Sequence, residues 1–192
     1  MMMTSKLIRA LVASAALACM APFASATVLT FDDLQADGLV PGNYGGLDWT
    51  ASTWFMFGAE QAPFAAHSGD HRATLGWDSS EGGSSIRFNA PAQFQGAYFA
   101  GFDGVEVSFK LYLNDQLVGT STTLQTHGIA TFLASGYGGF VDRITVASND
   151  HANFVMDDFT FSTAVPEPQS AALALAGLTV VGAIARRRLP SA

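Results

Sequence analysis

The chain has 192 residues and a formal net charge of −7, a length that suits one domain with processing segments at its ends. Between positions 27 and 165 the basic residues are Arg72, Arg87, Lys110 and Arg143, set against fifteen acidic ones, so this stretch carries a formal −11. A body this acidic repels nucleic acid and anionic membrane surfaces and argues against both as partners.

Residues 1–26 open with Lys6 and Arg9, run apolar from Ala10 to Ala21 and end on Ala24-Ser25-Ala26. That three-part order predicts a secretory signal peptide cleaved before Thr27. The apolar run is shorter than the roughly 20 residues a membrane span needs. The single cysteine, Cys19, lies within it, so the exported body has no thiol or disulfide and must be held by its core. Ala16 stands where a lipobox usually has leucine, which disfavours lipidation of Cys19.

From Thr27 to Ser162 short β-rich runs alternate with glycine-rich turns. Strands are predicted at 28–31, 53–57, 72–77, 85–88, 96–102, 105–113, 116–124, 129–133, 142–147 and 153–161. The clearest alternation sets Val105, Val107, Phe109, Leu111 and Leu113 against Glu106, Ser108, Lys110 and Tyr112, as in a sheet with one buried side. Asn114-Asp115 then offers a tight hairpin turn. No stretch sustains helical spacing. The fold class is therefore all-β, a single jelly-roll-like β-sandwich over 27–162. PGNYGGLDW (41–49) and SGYGGFVD (135–142) share Tyr-Gly-Gly, which reads as turn chemistry rather than a repeat.

Three constellations could carry chemistry. Asp32-Asp33 follows the first strand and Asp157-Asp158 lies in the last. In a jelly roll those strands run close, and up to four carboxylates at one point would call for calcium, which takes six to eight oxygen ligands. The alternative is one solvent-facing and one turn-capping aspartate per doublet. The closing strand FVMDDFTF resembles that of galactose-binding-like carbohydrate-binding-module jelly rolls, which implies a structural calcium held by such an aspartate. The second constellation is His67-Ser-Gly-Asp-His71, two imidazoles and a carboxylate that could suit a transition metal but read more simply as a surface loop; no third ligand can be argued from His127 or His151. The third is aromatic. Trp54 alternates with Met56 and reads as core, whereas Trp49 and Trp77 stand beside Gly and Asp at loop edges, where with Tyr44 they are candidates for stacking on sugar; the alternative is core packing, tryptophan being largely buried. No G-x-S-x-G, P-loop or dinucleotide fingerprint occurs, so no catalytic residue is assigned and the protein is expected not to be an enzyme.

The tail reads VPEPQSAALALAGLTVVGAIARRRLPSA. Pro166-Glu167-Pro168 makes an extended joint in a linker over 163–169. Residues 170–185 carry no charge and would form a helix of about 24 Å at 1.5 Å per residue, a short membrane anchor beside a hydrocarbon core of about 30 Å. Arg186, Arg187 and Arg188 in the tail 186–192 would stay cytoplasmic. Val165-Pro166-Glu167-Pro168, an apolar helix and three arginines together resemble the PEP-CTERM sorting signal. That resemblance implies a Gram-negative bacterium, a transient inner-membrane anchor, cleavage by an exosortase-type enzyme near the Pro-Glu-Pro, and release to the cell surface or matrix, in hosts that often make exopolysaccharide. The expected function is a surface or biofilm-matrix protein that binds polysaccharide. Its alternatives are a secreted glycan-acting hydrolase and a ligand-free structural envelope protein.

Overall fold

The structure is a computed structural model that describes residues 26–75 and 81–163, together with position 177. The predicted signal peptide, linker, anchor helix and basic tail fall outside the described residues but for Ala26, Thr163 and Gly177, and so does Trp77. No helix among the described residues is long and apolar enough to cross a membrane.

Ser25–Ala164 forms one compact unit. Its described residues make twelve strands: β1 (Thr27–Leu29), β2 (Gly38–Leu39), β3 (Leu47–Asp48), β4 (Trp54–Phe57), β5 (Arg72–Leu75), β6 (Ser85–Gly101), β7 (Glu106–Leu113), β8 (Gln116–Thr120), β9 (Leu124–Gln125), β10 (Thr131–Ala134), β11 (Val141–Ser148) and β12 (Phe154–Thr163). All pair antiparallel in a single sheet whose main path is β2-β4-β5-β12-β6-β11-β7-β8; β1 joins β12, β3 and β10 join β6, and β9 joins β7. The sheet closes over itself. Phe109 of β7 packs on Phe94 of β6 with ring centroids 4.7 Å apart, although β11 lies between those strands.

The β7 alternation is realised: Val107, Phe109 and Leu111 are fully buried and Glu106 is exposed. Each such side chain contributes roughly 1.5–3 kcal/mol by leaving water. Trp54 and Phe154 meet edge to face at 6.1 Å, and Phe94 stacks on Phe159 at 4.7 Å, so the core is drawn from strands across the whole unit.

The short strands β2 and β3 lie outside the predicted ones, and the predicted strands are organised differently at two places. The strands predicted at 85–88 and 96–102 are one 17-residue strand, β6. Asn89, Ala90 and Pro91 continue it because β11 shifts register between Val141 and Arg143 there, so proline's missing N–H falls at a bulge. The strand predicted at 116–124 breaks after Thr120. Ser121 takes over the ladder from outside: its Oγ accepts the Phe109 N–H at 2.8 Å and its N–H donates to Phe109 O at 3.0 Å.

Candidate functional site

β1 pairs β12, with Val28 opposite Thr160, so the two aspartate doublets do come near one another. What lies between them is protein. The His67–His71 loop donates its backbone to both. Asp70 and His71 N–H groups reach Asp32 Oδ1 at 3.0 Å each, and His67 and Ser68 N–H groups reach Asp157 Oδ2 at 2.7 and 2.9 Å. Asp157 Oδ1 accepts the Asp158 N–H at 2.7 Å. Consecutive strand residues normally point to opposite faces. Here Asp158 sits at φ 47° within a register shift of β12 against β6, and that bulge turns it to the same loop. Its carboxylate meets His67 Nδ1 at 2.5 Å and accepts Ser68 Oγ–H at 2.6 Å. Asp33 turns away to accept the Tyr44 hydroxyl at 2.7 Å, and that hydroxyl accepts the Phe31 N–H at 3.1 Å.

Calcium does not fit this arrangement. The oxygens that would ligate it are engaged: Asp157 Oδ2 and both Asp158 oxygens meet the loop, and Asp157 Oδ1 accepts the Asp158 N–H. Among the described residues no group of three or more His, Cys, Asp or Glu is placed to hold a metal ion. His67 and His71 likewise do not share a site, since His71 Nδ1 pairs with Asp32 at 3.4 Å while His67 pairs with Asp158. His127 is exposed, and His151 is buried.

Burial drives the Asp157 carboxyl up to about 6, opposed by the loop amides and reinforced by the charge of Asp158. Burial also works against ionisation of Asp32, but the His71 and Asp70 amides outweigh it and hold that carboxyl below its ordinary value. Tyr44 is pushed up by burial and by Asp33.

Trp49 is not at an exposed edge. Its ring is 1% exposed, its indole N–H donates to Tyr44 O at 2.9 Å, and it packs edge-on against Phe31 and Phe159. Tyr44 stacks on Phe31 at 5.5 Å. Both rings are used to seat the loop after β1, because Gly45 and Gly46 at φ 61° and 74° turn the chain back over Leu29. The sugar-stacking expectation is therefore corrected for Trp49. Tyr44 has its hydroxyl engaged, and Trp77 lies outside the described residues. Trp54 is core, as expected.

The outward face of the β4-β5-β12-β6-β10 portion holds what the sequence reading missed. One cross-strand row there runs Phe57, Arg72, Asp157, Tyr98 and Phe132. The 58–71 loop lies over this row. The His67 ring stacks on Tyr98 with centroids 3.3 Å apart, and Arg72 donates to Asp70 O at 2.8 Å and Ala59 O at 2.5 Å with its guanidinium over the Phe57 ring. The next row is Leu39, Phe55, Thr74 and Val155, and Phe55, Thr74 and Val155 of it line a cleft of about 530 Å³. Phe57 and Phe64 form one wall, and Asp37 and Gln61 supply polar groups. The signal was present in Trp54-Phe55-Met56-Phe57: both parities of β4 are apolar, and a strand with one buried side has no need of that.

A family model described as the PEP-CTERM protein-sorting motif matches residues 164–188. The chain thus carries the sorting signal of an exported protein that is membrane-anchored before exosortase processing. No curated protein matches the chain. Among solved structures it is similar to the carbohydrate-binding module TmCBM61 in complex with β-1,4-galactotriose, at 12% identity over 59% of this chain and 83% of that one, with a TM-score of 0.35, a likeness too distant to carry fold or ligand across.

Proposed function

We propose that this protein delivers a polysaccharide-binding, non-enzymatic β-sandwich to the cell surface or extracellular matrix of a Gram-negative bacterium. The observation that carries the reading is the aromatic cleft on the outward sheet face. Phe55, Phe57 and Phe64 offer flat apolar faces on which the C–H faces of pyranose rings can stack. Asp37 and Gln61 stand where hydroxyls would need partners, and few polar groups around an apolar surface is the usual composition of a small-molecule or glycan site. Glycoside hydrolysis requires a pair of carboxylates across the bond, and Asp37 is the one carboxylate among the described lining residues.

Among the described residues the core of the Ser25–Ala164 unit runs from Leu29 to Phe161, so this compact unit is suited to folding alone and can be tested as such. Titrated against a broad polysaccharide panel, it is expected to bind at least one chain without releasing products. Phe55→Ala should weaken that binding at least about tenfold, a loss typical of an aromatic anchor. Leu117→Ala, at an exposed position of β8, should leave it unchanged. No binding across the panel would reject the reading in favour of a structural envelope protein, and product release would make it a hydrolase.

A further inference from the structure

We infer that the cleft selects uncharged polysaccharide chains and rejects polyanionic ones, with Asp37 and Glu60 as the residues that set this specificity; the inference rests on the binding reading above. Among the described lining residues there is no lysine, arginine or histidine. The nearest guanidinium, Arg72, is 2% exposed. Its two terminal nitrogens donate to the Asp70 and Ala59 carbonyls, its Nε is buried, and its face is covered by Phe57 at 4.1 Å. It lies beneath the wall of the cleft and cannot reach a ligand carboxylate.

What the cleft presents instead is negative. Asp37 is exposed and fixed by accepting the Gly58 N–H on Oδ1 at 3.0 Å, which leaves its other oxygen as an acceptor at the rim. A sugar hydroxyl can donate to it, whereas the carboxylate of a uronate or a sulfate ester group offers only acceptors of like charge. Glu60 sits on the 58–71 loop between Ala59 and Gln61, both of which line the cleft, and with Asp37, Asp70 and Asp157 it acts on the charge of Arg72. This one buried cation lies in a body whose formal charge over 27–165 is four basic against fifteen acidic residues, or −11. Like charges set against one another across an interface suppress the wrong partner.

The test takes the uncharged polysaccharide that the Ser25–Ala164 unit binds best and compares it with its own carboxymethylated derivative. At low salt the derivative should bind at least about tenfold more weakly, and the gap should shrink markedly near 0.5 M salt, where the screening length falls to a few ångströms. Glu60→Gln, at a position outside the lining residues, should narrow the gap at low salt while the parent chain still binds, and adding Asp37→Asn should narrow it further. Equal or tighter binding of the derivative overturns the selectivity and leaves the binding reading standing. A gap that neither salt nor the substitutions move also overturns it, because the discrimination would then be steric. Binding of no glycan, with saturable uptake of a long-chain fatty acid, overturns both readings in favour of an apolar occupant.

Discussion

Asp157 is 1% exposed and spends both oxygens on three backbone N–H groups, which makes it the residue on which the 58–71 loop hangs. Around it stand Asp158 on its own strand, Arg72 level with it on β5 and His67 in the loop above. Because burial raises its carboxyl to about 6 from an ordinary 3.8, the folded state holds that proton more tightly than the unfolded one. The cost of ionising it is then fully present above about pH 6, and stability from this group rises as pH falls from about 6 toward about 4. Urea melts should show a gain on the order of 1 kcal/mol at pH 5 over pH 7.5, and Asp157→Asn should flatten the difference. Asp32, with its depressed carboxyl, acts in a lower window and in the opposite sense, since its contribution is lost as pH drops below its ordinary value. A midpoint that declines between pH 7.5 and 5 in the wild type, and not in the variant, would contradict the assignment.

The β7–β8 hairpin shows how an element is fixed locally. Leu113 stands opposite Gln116, and the two residues between them, Asn114 and Asp115, have φ of 51° and 59°. Positive φ at both positions matches the strand twist across a two-residue turn. Asp115 also reaches Arg143 at 3.3 Å and Arg87 at 3.8 Å, but its side chain is 75% exposed, and such pairs contribute little. Asp115→Gly is therefore expected to hold stability within about 0.5 kcal/mol, whereas Asp115→Val should lose about 1–2 kcal/mol because a β-branched residue resists this conformation. Chemical denaturation of both variants decides it; equal losses would place the energy in the ion pairs.

At the scale of the whole molecule, a self-contained sandwich is followed by a sorting motif matched over 164–188. Among the described residues, the core of the Ser25–Ala164 unit runs from Leu29 to Phe161, ahead of the matched motif. Mass spectrometry of the mature protein recovered from its host should find a C-terminus near Pro166 to Pro168. Retention of Arg186, Arg187 and Arg188 would contradict cleavage. On the proposed route the contrast between an acidic body and a basic end has a reason: the body would face water outside, and the arginines would stop at the membrane's inner side.

The features determined by the sequence alone are those set by near neighbours. Period-2 runs such as Val107 to Leu111 mark the strands, Asn114-Asp115 marks its turn, and the ordered Pro-Glu-Pro, apolar run and arginines mark the sorting signal. Each rests on backbone chirality, side-chain alternation or a contiguous motif. The tertiary structure alone decided which partners the aspartates take, because His67 and Asp157 are 90 residues apart in the chain, and no local pattern shows that loop amides would stand where a cation was expected. It likewise sent Trp49 inward and left Phe55 outward. Trp49 stands beside Asp48 and Phe55 between Trp54 and Met56 in the sequence, and the face a ring meets is set by which strand closes over it.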